Sequence, residues 1–409
     1  MLRSSLVALT HRNFRLLWLG TLVSMSGSFM RTAALLWHVS LLAPPEKKAL
    51  ALGIVGLVRV APIILFSFVS GIVADASDRR KLMMLTNVSM MAISGLLAFV
   101  AFTGRDTLAV VYLLAGASAA MGSFDNPARQ SLFPSLVPRE HLQNAISVNS
   151  TMMQASSVLG PMLGGLIIAL GGVAWVYAFD AATFLVLELM LFLMKDVPVR
   201  PEAERSELSL RAGIEGVRWV FRHPLIRSTM LLDFFATFFA SAEALLPIFA
   251  QDILRVGPRG YGLLAGAPAM GAMLTSVLML PLVPRIERRG RVLMGSIIAY
   301  ALATIAFGVS TAFWLTFCCL LVVGASDMVS TVLRNIIRHM HTPDSMRGRM
   351  TSVNMMFFMG GPQLGELEAG LVAQALGPAV SVASGGFACL VAVLWIGWKT
   401  PSLVGYGQE

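Results

Sequence analysis

Charge is what this sequence has least of: Asp, Glu, Lys and Arg make up 13% of its 409 residues, against about 25% in an ordinary soluble domain. Beside a hydrophobic content of 56%, that shortfall argues against a chain built for water. Cysteine is scarcer still. Cys318, Cys319 and Cys389 all fall in apolar stretches, with neither metal-ligand spacing nor an extracellular disulfide pattern, so they read as packing residues and no metal site is expected. No glycine-rich lysine loop for nucleotide phosphates occurs, and no Gly-x-Ser-x-Gly nucleophile turn. ATP-driven pumping and acyl-transfer chemistry are therefore not expected, and no cofactor is called for.

What the chain has in abundance is long apolar runs. A bilayer core about 30 Å thick takes about 20 mainly apolar residues per helix. Such runs place helices at 14–41, 49–74, 82–103, 108–126, 144–170, 173–194, 226–250, 261–284, 292–311, 313–336, 350–375 and 377–398. The first is too long for a signal-peptide core and reads as an uncleaved helix. The spacing thus predicts an all-α integral membrane protein with both termini on one side. On this map 24 of the 31 Lys and Arg residues lie on the side of the termini and 5 on the other, with Arg31 and Arg59 inside helices. The positive-inside rule then predicts cytoplasmic termini and a multi-pass protein of the cell (inner) membrane, with membrane lipids as its surroundings. The net charge of +9 is accounted for by these short loops, which lack the stacking aromatics and groove-entering motifs of nucleic-acid binding, so no nucleic-acid partner is expected.

The longest polar stretch falls at the midpoint and holds Pro198, Pro201 and the run Glu202-Ala203-Glu204-Arg205. It divides the chain into an N-terminal six-helix bundle at 1–194, a cytoplasmic linker at 195–225 and a C-terminal six-helix bundle at 226–409. An internal repeat supports the division. Gly160-Pro161-Met162-Leu163-Gly164 returns as Gly361-Pro362-Gln363-Leu364-Gly365, and Ser147-Val148-Asn149 as Ser352-Val353-Asn354. Asp78-Arg79-Arg80 corresponds more weakly to Glu287-Arg288-Arg289.

Between the second and third helices, Gly71-Ile72-Val73-Ala74-Asp75-Ala76-Ser77-Asp78-Arg79-Arg80-Lys81 resembles the loop signature of the major facilitator superfamily. In the fifth helix, Ser156-Ser157-Val158-Leu159-Gly160-Pro161-Met162-Leu163-Gly164-Gly165 is similar to a signature of that superfamily's exporters. With Asn13-Phe14-Arg15-Leu16-Leu17-Trp18, Phe124-Asp125-Asn126-Pro127-Ala128-Arg129-Gln130 and Gln363-Leu364-Gly365-Glu366, nearly the whole chain resembles the efflux subfamily that includes the bacterial enterobactin exporter. The resemblance implies twelve helices in two pseudo-symmetric bundles working by alternating access. It implies that Gly71, Asp75, Arg79 and Arg80 form a cytoplasmic gate, although Ala76 and Asp78 stand where the family usually has a basic residue and a glycine. Asp125 and Arg129, one turn apart, are expected to shape the same gate. Gly160, Pro161, Gly164 and Gly165 are expected to let the fifth helix pack closely on the opposite half, with Ser156 in place of the first glycine.

Charges within apolar helices are functional candidates, because a central charge needs a partner or a water-filled cavity. Arg31, Glu243 and Glu366 fall in the outer third, and Arg59 nearer the middle; pairs between these arginines and glutamates across the halves are expected. Asp233 and Asp327 lie nearer the cytoplasm and are the candidate proton sites. Asp180 and Glu188 are left without a role, because the sixth helix of this architecture is usually peripheral. His339 and His341 read as parts of a solvated loop, and the methionines as gap-filling side chains. The function expected is secondary active transport by a monomer: proton-coupled export of an amphipathic small molecule such as a siderophore, drug or lysolipid. The alternatives are an uptake symporter or downhill carrier of the same fold, and a membrane-embedded lipid-handling enzyme, which the dispersed ionisable residues disfavour.

Overall fold

A chain placed in lipid must satisfy its backbone within each segment, which leaves helices as the economical solution. The computed structural model describes residues 6–197, 217–343 and 346–407, with the side chains there other than those of 67, 68, 72, 74–76, 348, 352, 356 and 359. Asp75 and most of the expected linker lie outside these. Among the described residues twelve long helical segments follow one another: α1 Arg12–Leu42, α2 Lys48–Ala76, α3 Arg79–Phe102, α4 Leu108–Ser135, α5 Leu142–Gly171, α6 Val173–Leu193, α7 Pro224–Phe239, α8 Gly257–Leu282, α9 Arg289–Val309, α10 Phe313–His341, α11 Arg347–Leu376 and α12 Pro378–Lys399.

Local chemistry sets several of their ends. Asp78 caps α3, its carboxylate accepting from the backbone N–H groups of Arg80 and Lys81. Thr107 caps α4 in the same way. Gly172 and Gly377, with φ of +89° and +91°, end α5 and α11 in a conformation that favours glycine. The seventh segment, expected as one helix over 226–250, breaks after α7. It resumes as a tight turn at Ala242–Leu245, a short helix at Leu246–Ile248 and a wide turn at Phe249–Ile253. Pro247 cannot donate to the carbonyl four residues back, and its ring crowds that carbonyl, so the break falls in this stretch. Two other helices run past their expected ends: α4 continues to Ser135, and α10 to His341. His339 and His341 therefore belong to the last helical turn and not to a loop.

Among the described residues ten segments are long and apolar enough to cross a bilayer. The other two of the twelve are α1, diluted by serines, threonines and Arg31, and α11, which carries Glu366 and Glu368. Large apolar side chains such as Leu113, Leu170, Leu280, Trp314 and Trp398 are exposed, the arrangement of a surface that meets lipid.

The chain forms two compact units, Met1–Leu42 with Val58–Leu208, and Ala43–Leu57 with Ser209–Glu409. Helix α2 is thus divided, its first ten residues belonging to the second unit. In the first unit α1 packs on α5 and α6, and α3 on α4 and α6. In the second the equivalent helices pair in the same way, α7 on α11 and α12, and α9 on α10 and α12. Phe14, Leu17, Met83, Leu132 and Leu187 anchor one core, and Leu232, Leu293, Ile297, Leu333 and Val393 the other.

The glycines of the fifth helix correct one expectation. Gly160 faces α1 of its own unit, where a Cβ would stand 2.8 Å from the Ser26 carbonyl oxygen and 2.9 Å from the Met30 backbone nitrogen. Gly164 lies against Met30 at 3.1 Å. Their repeats behave alike within the second unit, Gly361 facing Thr237 and Gly365 facing Phe238 and Ser241 of the seventh segment. Gly165 and Pro161 are buried in the same helix.

Candidate functional site

In the second unit four polar residues recur along α10 as Asp327, Thr331, Arg334 and Arg338, spaced so that they share one helical face. That face meets Asp233 of α7, which is buried. Arg334 approaches one carboxylate oxygen of Asp233 at 2.9 Å and Arg338 the other at 3.3 Å. The rest of Arg338 is also held: Nε donates to Thr229 Oγ1 at 3.2 Å, Nη2 to the Thr229 carbonyl at 2.9 Å, and Nη1 to Asn354 Oδ1 of α11. Arg334 donates to Thr331 Oγ1 at 3.0 Å and lies 3.5 Å from Asp327.

The two aspartates differ in accessibility. The Asp233 side chain is 5% exposed, whereas that of Asp327 is 47% exposed and makes a single long ion pair. Two guanidinium and two carboxylate groups balance in charge when both aspartates are ionised. Burial without that balance costs several kcal/mol per ion.

The first unit holds a second compensated pair, and here the structure corrects the sequence reading. Arg31 pairs with Asp180 of α6 at 2.7 Å, not with a glutamate of the other half. Asp180 is fully buried and also accepts from Ser94 Oγ of α3 at 2.6 Å, while Arg31 donates to Ser118 Oγ of α4 at 2.5 Å. Gly27, one turn before Arg31, makes the approach of α6 possible, since a Cβ there would stand 2.8 Å from Asp180 Oδ1. The sixth helix therefore carries a buried charge that joins α1, α3 and α4.

Towards the end of this unit that carries the N-terminus, Arg80 donates to the Leu191 and Phe192 carbonyls at 2.8 and 3.1 Å, placing a cation at the C-terminal end of α6. Arg79 donates to the Ser131 carbonyl at 3.0 Å. Gly71 is partly buried in α2. Arg129 lies 3.5 Å from Asp125, donates to Asn126 Oδ1 at 2.9 Å, and reaches Met25 Sδ of α1. Thr86 Oγ1 donates to Asp125 from α3 at 3.2 Å.

The remaining candidates are scattered. Glu366 is buried in α11, its Oε2 3.0 Å from where a Cβ of Gly56 would be, within the second unit. Glu243 is exposed in the turn that follows α7. Arg59 is half-buried in α2, and among the described residues none forms a hydrogen bond or ion pair with it. The residues that the sequence reading missed are Arg334, Arg338 and Asp180. Arg334 lay within the expected helix at 313–336 and was legible as a continuation of the Asp327 stripe; Arg338 was legible only had α10 been extended past 336.

Long apolar helices that bury balanced charges in two units with equivalent helix pairings are the architecture of a membrane transporter. The model of the transmembrane secretion effector family matches residues 3–402. The chain belongs to that family, a branch of the major facilitator superfamily. It is 28% identical over 324 residues to the enterobactin exporter EntS of Escherichia coli O1:K1 / APEC, spanning 79% of this chain and 77% of the relative. Among solved structures it is similar to a bacterial homologue of the human lysosomal transporter Spinster, with a TM-score of 0.72 and 14% identity over 97% of each chain. A bacterial homologue of the iron transporter ferroportin gives 0.70 and 19% identity over 96% of this chain and 98% of the other. These neighbours establish the fold. The family establishes a secondary transporter.

Proposed function

We propose that the chain exports an amphipathic small molecule of the siderophore kind in exchange for protons, with Asp327 as the carboxylate that takes up and releases the proton. The accessibility of Asp327 beside the buried Asp233, Arg334 and Arg338 carries this reading. Ionised, Asp327 balances the second guanidinium; protonated, it leaves the cluster with a single positive charge. A coupling site needs two charge states at one fixed place in the bilayer, and the gain and loss of a proton at Asp327 would supply them here. The similarity to EntS supports the siderophore class and the outward direction. The excess of basic residues on the side of the termini supports cytoplasmic termini in the cell (inner) membrane.

The test is proton flux into proteoliposomes under an imposed pH gradient, with a catecholate siderophore, a cationic drug and a lysophospholipid as probes. The expected outcome is a probe-dependent proton movement that Asp327→Asn abolishes while the protein stays folded. Probe movement without proton movement, equal in the parent and in Asp327→Asn, would leave a downhill carrier. Protons moving with the probe instead of against it would make the chain a symporter.

A further inference from the structure

At the end of the first unit opposite the N-terminus, three segments converge on one imidazole. His38, in the last turns of α1, is 2% exposed. Its Nε2 lies 2.7 Å from Asp106 Oδ2, in the loop between α3 and α4, and its Nδ1 lies 3.1 Å from the hydroxyl of Tyr177 in α6. Tyr177 is fully buried, while the Asp106 side chain is 18% exposed. A buried histidine with a carboxylate on one side and a phenol on the other has no part in the cluster around Asp327. We propose that His38, Asp106 and Tyr177 form a second proton-binding site, which exchanges protons with the outer aqueous phase through Asp106.

The hydrogen-bond inventory supports one exchangeable proton. Neutral His38 donates from Nε2 to the carboxylate, which can only accept, and accepts at Nδ1 from the tyrosine hydroxyl. Protonated His38 keeps both contacts, now donating at each end, and the hydroxyl hydrogen turns elsewhere. Neither state strands a buried polar atom of the ring. The site carries one negative charge with His38 neutral and none with it protonated, so proton uptake removes an uncompensated charge from a mostly buried place.

Tyr177 and Asp180 are three residues apart on α6, and His38 and Arg31 seven apart on α1, so each pair shares a helical face. Asp180 Oδ1 is buried with no hydrogen-bond partner. Arg105 is exposed in the loop and Tyr112 half-buried in α4. The segment of α5 over 142–171 carries no ionisable side chain. Asp125, Arg129, Arg79, Arg80 and Lys81 belong to the opposite ends of α4 and α3. Proton uptake at His38 is therefore felt next by the Arg31–Asp180 pair, which ties α1 to α6.

The assignment of this end to the outer phase rests on the topology proposed above; the proton site itself stands on the triad. The experiment is a pH titration of ¹⁵N-histidine-labelled full-length protein in nanodiscs, which holds six histidines, read by the ring nitrogen resonances. One resonance, absent in His38→Gln, is expected to titrate reversibly between pH 5 and 8, and Asp106→Asn is expected to weaken its proton affinity about tenfold by removing the facing charge. Should His38→Gln not fold, the resonance that moves in Asp106→Asn identifies the ring. A His38 resonance that stays unchanged across this range, or one unaffected by Asp106→Asn, overturns the proposal and leaves the triad as a structural tie. If His38 titrates as expected while the parent moves no protons with any probe, the proton site stands and the antiport reading falls.

Discussion

At the scale of single residues, two aspartates that look alike in the sequence sit in different surroundings. Asp233 has both oxygens taken by guanidinium groups, so Asp233→Asn leaves Arg334 and Arg338 buried with too little negative charge. Breaking a buried pair costs about 3–5 kcal/mol, and a lowered denaturation midpoint in detergent is the expected sign. Arg59 supplies the contrast. With no partner among the described residues, Arg59→Ala should change stability by no more than about 0.5 kcal/mol, yet reduce substrate flux, because an intramembrane guanidinium held by nothing is available to a ligand. Equal destabilisation by the two substitutions would refute this division of labour. Asp233 and Asp327 were legible because charges stand out in apolar runs. Their partners were not: Arg334 lay in the last turn of the expected helix at 313–336, where a cation reads as an end to the apolar run, and Arg338 lay past it, where periodicity alone could not show that the helix continues. Asp180 was visible too, but fold-level habit, which treats a sixth helix as peripheral, argued it away. A fully buried carboxylate next to Ser94 and Arg31 shows why that habit failed here.

At the scale of helices, glycine placement decides which faces meet. The small residues of α5 were readable as an interface, but the partner was not, since small residues mark close approach without naming what approaches. At Gly160 a Cβ would stand 2.8 and 2.9 Å from backbone atoms of α1, whereas at Gly164 the nearest atoms are Met30 Cγ at 3.1 Å and the Met30 carbonyl oxygen at 3.2 Å. A methyl group at 160 presses on backbone atoms that cannot move aside, while one at 164 needs its neighbours to give by only a few tenths of an ångström. Gly160→Ala should therefore cost about 1–3 kcal/mol and Gly164→Ala clearly less, compared by thermal denaturation of the purified variants. A reversal of that order would mean that α1 yields at Ser26 and not at Met30. The break after α7 shows the limit of periodicity in the other direction. Apolar content ran unbroken over 226–250, and only Pro247 hinted that the backbone did not.

At the scale of the whole molecule, the repeat was the most legible feature, because matching glycine and proline positions impose matching helix ends and packing. Gly172 and Gly377 end α5 and α11 with the same positive φ, and α1 with α5 corresponds to α7 with α11. Orientation in the membrane follows instead from charge asymmetry, which packing cannot report. The proposed assignment of the His38 end of the first unit to the outer phase rests on it. Two single cysteines in a background lacking Cys318, Cys319 and Cys389 test it: Thr103→Cys, exposed after α3, and Ser77→Cys, exposed after α2. A membrane-impermeant maleimide applied to intact cells should label the cysteine at 103 and reach that at 77 only after permeabilisation. The reverse pattern would put His38 on the cytoplasmic side and overturn the assignment of its end of the first unit to the outer aqueous phase.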